Sequence, residues 1–214
     1  MFKFGRLNYS TMGGKLKGFA GVNTSSLDNP FCTHMTKNPK SVCAKCYSIR
    51  MLESYRANCR PAFQKNAEIL ANDLLYEEEI KPCKKEKIAL RFSAHGELYN
   101  LCHLYNCFQI AKVNSDKICT LFTKRIDLLK QTNKSEIPDN MIIVYSNPLI
   151  DNPLSEDYIK ELELICHINK VFNVFTKKYS MDKGISINCS GKKCKDCMVC
   201  YSQNNINVIN ELVK

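Results

Sequence analysis

The sequence predicts an α/β fold, with a parallel sheet of about five or six strands that is either open or curved into a partial (β/α) barrel. Short strand-like runs alternate along the chain with longer segments of helical periodicity. The runs are apolar almost throughout, which is typical of parallel strands buried on both faces. No repeat or low-complexity linker interrupts the 214 residues, a length that suits one domain.

The elements follow from local patterns taken in order. Residues 1–42 are rich in Gly, Ser, Thr, Asn and Pro, and predict loops with one short strand at 16–22. Apolar residues at three- and four-residue spacing in 44–79 predict two helices, the second beginning at Pro61. We then predict strands at 87–93, 118–123, 141–146, 171–176 and 185–188, and helices at 98–113, 125–131, 156–168 and 204–214. Within the single domain of residues 1–214, these elements divide into a cysteine-rich segment with a helix (1–60), a β/α core (87–188) and a four-cysteine segment with a terminal helix (189–214).

The amino-acid composition limits the classes of binding partner and the cellular compartment that we expect for this protein. The net charge of +10 favours an anionic partner, either nucleic acid or an anionic small molecule, although dispersed lysines are also typical of a solvated surface. No apolar run is long enough to span a membrane, and the N-terminus has no apolar signal region, so we expect a cytoplasmic protein without a membrane partner. In a reducing cytosol the 13 cysteines are metal ligands, reactive thiols or buried apolar residues rather than disulfides.

The densest cysteine run predicts a metal site. Cys189, Cys194, Cys197 and Cys200 have the spacing C-x4-C-x2-C-x2-C. The final C-x2-C-x2-C resembles the run that wraps four-iron clusters in bacterial ferredoxins. Zinc would also bind four thiolates, but its two C-x2-C pairs are usually separated by a longer loop. The spacing therefore favours an iron–sulfur cluster over zinc.

A second, sparser set lies near the N-terminus. Cys32, Cys43 and Cys46 have the spacing C-x10-C-x2-C. Three thiolates would leave one iron of a four-iron cluster open to substrate, whereas a fourth ligand, either His34 or Cys59, would close the site. The same spacing is compatible with a closed zinc site, and with no metal at all. The five other cysteines, Cys83, Cys102, Cys107, Cys119 and Cys166, have no ligand spacing and are expected to be buried apolar residues.

Polar residues follow the predicted strands, where parallel α/β folds gather their active sites. His95 and Glu97 come just after the strand at 87–93 and are candidate catalytic residues. If that strand continues, its alternation brings Ser93, His95 and Glu97 to one edge of the sheet. Candidate binding residues for a cofactor or another anion are Ser93, Thr123, Lys124, Ser146 and Lys177. Walker, HExxH and GxSxG motifs do not occur, which argues against those enzyme classes.

Taken together these residues resemble a known family. The motifs are, in order along the chain, Cys32, Cys43-Ala44-Lys45-Cys46-Tyr47, RFSAHGE at 91–97, Phe122-Thr123-Lys124 and the four cysteines from Cys189 to Cys200. The order of these motifs is similar to that in the phage "gene product 88" family of uncharacterised proteins. The resemblance covers most of the chain. More remotely, the arrangement is similar to radical S-adenosylmethionine enzymes, which combine a partial (β/α) barrel with a three-cysteine cluster and often an auxiliary C-terminal cluster.

The resemblance implies a function and a setting. A protein of this kind would be a radical-S-adenosylmethionine-like enzyme of phage or mobile-element origin, acting in the cytosol of a bacterial host. Cys32, Cys43 and Cys46 would hold the [4Fe-4S] cluster that binds S-adenosylmethionine, and the four C-terminal cysteines would hold a second [4Fe-4S] cluster, supplied by an electron donor. The competing hypothesis is a basic binding module, stabilised by iron–sulfur or zinc sites, for nucleic acid or a host protein.

Overall fold

The computed structural model describes residues 7–84, 86–189 and 191–213. Its strands are β1 (Tyr9–Thr11), β2 (Ala20–Val22), β3 (Ala89–Phe92), β4 (Ile118–Thr123), β5 (Met141–Ile150), β6 (Lys170–Phe175) and β7 (Val208–Leu212). Its α-helices are α1 (Pro30–Met35), α2 (Tyr47–Glu53), α3 (Arg60–Asn72), α4 (Leu101–Val113), α5 (Ile126–Leu129), α6 (Glu156–Cys166), α7 (Lys177–Asp182) and α8 (Cys194–Cys197). None of the described helices is long and apolar enough to cross a membrane.

The seven described strands form one open sheet in the order β1-β2-β3-β4-β5-β6-β7. β1 is antiparallel to β2, and every later pair is parallel. This confirms the predicted α/β class with a largely parallel sheet. The strand total exceeds the predicted five or six because the described chain adds strands at Tyr9–Thr11 and Val208–Leu212, whereas the predicted strand at 185–188 does not form.

The two faces of the sheet are covered differently. Because consecutive parallel strands are neighbours, their right-handed crossovers advance in one direction and place the helices on the same face. That face holds the larger core, in which Leu90, Leu121 and Ile143 of the sheet pack with Leu70 of α3 and Phe108 of α4. We call the other side the second face.

The second face holds a smaller core. Phe122, Ile142 and Val144 of the sheet pack there against Phe19 and Tyr201. Tyr201 follows α8 in a 3-10 turn at Val199–Tyr201, so the C-terminal segment covers part of this face. The four-cysteine run therefore lies against the sheet itself and is not a detached appendage.

The predicted terminal helix at 204–214 is wrong, because the chain there forms β7. Val208 and Leu212 fit a helical spacing as well as a strand, and pairing with the edge of β6 decides the outcome. The predicted strand at 185–188 is not a strand, but it lies along the outer edge of β7. Asn188 donates from Nδ2 to the carbonyl of Val208 at 2.9 Å and accepts the N–H of Asn210 at 2.8 Å, which covers that edge.

Candidate functional site

Cys32, Cys43 and Cys46, here called the N-terminal cysteine site, come from short segments at the carboxyl edge of the sheet. Cys32 lies in the first turn of α1, where the buried side chain of Asn29 accepts its N–H at 3.1 Å. Asn29 also donates from Nδ2 to the carbonyl of Glu97 at 2.8 Å. The helix that holds Cys32 is thus fastened to the loop after β3.

The segment with Cys43 and Cys46 is fastened to the end of β5. Val42 donates its N–H to the carbonyl of Pro148 at 2.9 Å, and Ser41 pairs with Leu149. The hydroxyl of Ser41 accepts the N–H of Cys43 at 3.0 Å, and Cys46 directly precedes α2. These bonds fix the backbone of both cysteines.

The three thiols share one electrostatic environment. Burial raises the pKa of Cys32 well above its ordinary value, and Glu97, Cys43 and Cys46 raise it further, while Lys124 lowers it. For Lys124, burial alone would lower the pKa, but Cys43, Glu97 and the other two thiols outweigh it and raise the pKa. The predicted binding residue Lys124 therefore lies close enough to the N-terminal cysteine site to interact electrostatically with all three thiols.

Glu97 organises this edge as a hydrogen-bond acceptor. Its carboxylate is 4% exposed and accepts the N–H of Leu98 at 2.9 Å, the hydroxyl of Thr123 at 2.7 Å and the N–H of Lys124 at 2.9 Å. Both oxygens are thus engaged in joining the loop after β3 to the end of β4. Glu97 and Thr123, predicted as catalytic and binding residues, hold the backbone of the site in place.

His95 lies beside the same edge in an aromatic setting. Its Nδ1 is 3.1 Å from the hydroxyl of Ser48, and its ring stacks on Phe63 and tilts against Tyr47. Burial, followed by the charges of two arginines, lowers the pKa of His95 to about 4. The imidazole is therefore neutral at pH 7 and is able to accept or donate a hydrogen bond without carrying charge.

Cys189, Cys194, Cys197 and Cys200, here called the C-terminal cysteine site, lie on the second face. Cys194 and Cys200 pack against the core around Phe122. Burial raises the pKa of Cys200 to about 12, with Arg91 lowering it and the other three cysteines raising it. Cys189, Cys194, Cys197 and Arg91 thus all lie close enough to Cys200 to interact with it electrostatically.

Arg91 occupies the middle of β3 and points to the second face. Its Nη1 donates to the hydroxyl of Tyr201 at 2.9 Å, and its guanidinium carbon lies 3.6 Å from the ring centre of Phe122. Its Nε is buried without a hydrogen-bond partner, as is the hydroxyl of Thr120, which lies opposite Arg91 on β4. In the part of the chain that the structure describes, no carboxylate lies within ion-pair distance of Arg91.

Neither cysteine site has the geometry of a completed metal centre. Among the described residues, no group of three or more His, Cys, Asp or Glu side chains is arranged to hold a metal ion. The donor types nevertheless fit, since thiolates are the ligands that iron–sulfur clusters and many zinc sites use. The metal assignment stays a prediction.

The remaining predicted residues are more dispersed. β3 ends at Phe92, and Ser93 has a left-handed backbone with φ of 54°. The strand alternation therefore does not continue to Glu97. Ser93, His95 and Glu97 nevertheless all lie at one edge of the sheet. Ser146 lies where the register of β5 and β6 shifts. Lys177 is an exposed residue at the start of α7, beyond the end of β6.

The two proposed fourth ligands lie in separate places. Cys59 packs against the cluster of Met51, Leu52 and Phe63, and His34 is exposed on α1. Neither is among the groups that most affect the pKa of Cys32. A closed N-terminal cysteine site with either residue stays a prediction.

Sequence reasoning missed a buried polar loop and the central arginine. Residues 23–26 (Asn-Thr-Ser-Ser) follow β2 and are each at most 2% exposed. The loop meets the site where Asn23 accepts the N–H of His95 at 3.1 Å. A polar run directly after a strand was the available signal.

A repeated sequence motif could have indicated that the two cysteine sites are related through Arg91. Both cysteine sites contain C-x2-C-Tyr, ending in Cys46-Tyr47 and Cys200-Tyr201. Both tyrosines interact electrostatically with Arg91, which lies between the two motifs. Within β3 the arginine itself gave no local signal, because a charged residue in a short strand is ordinarily solvent-exposed.

Comparison with protein-family models, with curated proteins and with solved structures found no match. The resemblance to the gene product 88 family rests on the residues quoted above.

Proposed function

We propose that this protein is an iron–sulfur protein that holds a cluster at each cysteine site and works as a radical-S-adenosylmethionine-like enzyme. One observation carries the proposal. Arg91, which is half-buried, interacts electrostatically with Cys194 and Cys200 of the C-terminal cysteine site and has no carboxylate partner among the described residues. A buried cation without a counter-charge is costly, and four thiolates bound to a cluster would supply the missing negative charge.

Sheet order supports the enzymatic part of the proposal. Six parallel strands in chain order are the arrangement from which a (β/α) barrel is built, and such folds keep their active sites at the carboxyl ends of the strands. The N-terminal cysteine site lies at this edge. The three-thiol set is thus the better candidate for a reactive site, and the four-thiol set for an auxiliary one.

The chain's own residues would have distinct roles. A bound four-iron cluster supplies one-electron chemistry. Lys124 would balance the charge of the three thiolates, and Glu97 with Thr123 would hold the Lys124 backbone in place. His95, neutral at pH 7, would bind a polar group of the substrate beside Tyr47.

Metal analysis of anaerobically purified protein tests the proposal. We expect about eight irons and as many sulfides per chain, as two four-iron clusters require. Cys46→Ser and Cys197→Ser should each remove about half of the iron, whereas Cys102→Ser, outside both sites, should remove none. If iron is present, reduction with S-adenosylmethionine should give 5′-deoxyadenosine.

Two results would overturn parts of the proposal. Zinc without sulfide would exclude the clusters and favour the second candidate, a metal-stabilised basic module for nucleic acid, which the net charge of +10 supports. Full iron loading in Cys197→Ser would refute the ligand assignment. Loaded protein that does not bind S-adenosylmethionine would remove the enzymatic part of the proposal and leave the clusters.

A further inference from the structure

A cavity of about 400 Å³ opens at the amino-terminal edge of β5 and β6, away from the N-terminal cysteine site. Its described lining consists of one lysine, one serine, five amide side chains and Ile142. The volume is within the usual range of small-molecule sites. A lining so rich in hydrogen-bonding groups, with a lysine and no acidic residue, fits a polar and negatively charged ligand, although one lining amide, that of Asn207, donates to the carboxylate of Glu163 at 3.2 Å.

Lys170 is the one charged residue in the described lining of this cavity. The residue is 2% exposed, and its ammonium donates to Oδ1 of Asn204 at 2.9 Å and to the carbonyl of Ile206 at 2.8 Å. An ammonium has three N–H donors, so one is left over. Among the described residues no carboxylate lies within ion-pair distance of Lys170, and its positive charge is therefore available to an anion.

The loop that forms the wall of the cavity is held in shape before any ligand binds. Asn204 donates to the hydroxyl of Ser202 at 2.8 Å and accepts the N–H of Ile206 at 3.0 Å, and Ser202 donates to the carbonyl of Met198 at 2.8 Å. At the end of the loop, Asn207 accepts the N–H of Val171 at 2.7 Å. A preformed loop lowers the entropic cost of binding.

Several donors in the lining have no intramolecular partner in the described structure. Gln203 and Asn205 make no side-chain hydrogen bond, and Asn169 uses only its oxygen, which accepts the N–H of Ile143 at 2.7 Å. The cavity lining thus contains four residues with unused donors, namely the buried Lys170 and the exposed Asn169, Gln203 and Asn205. A carboxylate has two oxygens, whereas a phosphate monoester presents three and carries nearly two negative charges.

We propose that this cavity binds the phosphate group of a small phosphate monoester, with Lys170 as the charged contact and the amides of Asn169, Gln203 and Asn205 as further donors. The volume exceeds that of phosphate alone and leaves room for the organic part of the ligand. The site adjoins the C-terminal cysteine site, since Lys170 also interacts electrostatically with Cys200. Phosphate binding at this site requires no metal, so it is tested independently of the proposed iron–sulfur clusters.

Titration of the purified full chain with inorganic phosphate, adenosine 5′-monophosphate and adenosine tests the site, followed by calorimetry and amide chemical shifts. We expect phosphate and the monophosphate to bind in competition, with shifts at residues 169–170 and 203–205, and adenosine to bind at least about tenfold more weakly than the monophosphate. Lys170→Met should weaken phosphate binding about tenfold or more.

Because Lys170→Met removes buried hydrogen bonds and risks unfolding, a surface variant is the decisive one. Asn205→Asp places a negative charge in the lining at an exposed residue without intramolecular bonds, and should weaken phosphate binding at least about fivefold. Asn72→Asp, an exposed residue at the end of α3, makes the same charge change elsewhere and should have little effect. Equal binding by the two Asp variants, no saturable binding of phosphate, or shifts confined to other residues would overturn the proposal.

Discussion

Glu97→Gln should destabilise the protein by about 2–4 kcal/mol, although it changes one side-chain oxygen to nitrogen. The carboxylate accepts three hydrogen bonds of 2.7–2.9 Å, from Leu98, Thr123 and Lys124. A bond to a charged group contributes roughly 1.5–3 kcal/mol. Glutamine keeps one acceptor oxygen, and its amide nitrogen would face at least one of the three donors, so one charged bond is lost outright and the others weaken.

Urea unfolding followed by far-ultraviolet circular dichroism measures this change, since the chain has no tryptophan to report by fluorescence. Glu68→Gln is the matched control, because Glu68 is 62% exposed on its side chain and lies 3.6 Å from Lys65 in a surface ion pair. We expect a change of less than about 0.5 kcal/mol there.

Thr123→Val removes the hydrogen bond from the Thr123 hydroxyl to Glu97 while leaving the charge of the Glu97 carboxylate in place. Thr123 is fully buried, and its hydroxyl also accepts the N–H of Arg125 at 3.0 Å. The single change should cost about 1–3 kcal/mol, and the double variant with Glu97→Gln should show a coupling energy of at least about 0.5 kcal/mol. If Glu97→Gln and Glu68→Gln unfold at the same urea concentration, Glu97 does not hold the two loops together.

Two further predictions concern backbone geometry and pH. Gly96→Ala should destabilise the protein by at least about 3 kcal/mol, because φ is 77° and the new Cβ would lie 2.5 Å from the carbonyl oxygen of Thr24. The control is Gly184→Ala, which should cost only about 1 kcal/mol because φ is 62° and the space around it is open. Similar urea midpoints for the two variants would contradict this prediction. Burial lowers the pKa of His103 to about 3, so the folded state disfavours its protonation. His103 should therefore lower the free energy of unfolding by about 1.4 kcal/mol for each pH unit from about 6.5 down to about 3, in addition to a similar contribution from His95 down to about pH 4. The slope should decrease by about that amount in His103→Gln, and an unchanged slope would contradict the prediction.

Most of the core fold was predictable because its signals are local. The strands β4, β5 and β6 and the helices α3, α4 and α6 appear close to their predicted positions, since apolar runs and helical spacing over several residues reflect burial directly. α1 was not predicted, because Pro30–Met35 is short and lies in a polar, glycine-rich region. Its stability comes from Asn29, which connects it to Glu97 across a large separation in sequence.

The candidate site also has features that local sequence predicted and features that it did not predict. Spacing alone marked both cysteine sites, and the position of Lys124 after a strand marked it as a binding residue. The three hydrogen bonds that Glu97 accepts were not predicted, because its donors come from two segments that only the pairing of β3 with β4 brings together. A pattern within one segment carries no information on such contacts.

The sequence by itself determined the α/β class, the main strands and helices, and the two sets of thiols, because each depends on residues close together in the chain. Only the tertiary structure decided which cations face those thiols, and that the last segment is a strand and not a helix. Parallel pairing of β3 and β4 turns Arg91 to the second face, where the returning C-terminal segment brings Tyr201 and four cysteines to it. That contact spans 110 residues, and it forms only when the sheet and its covering segment pack together.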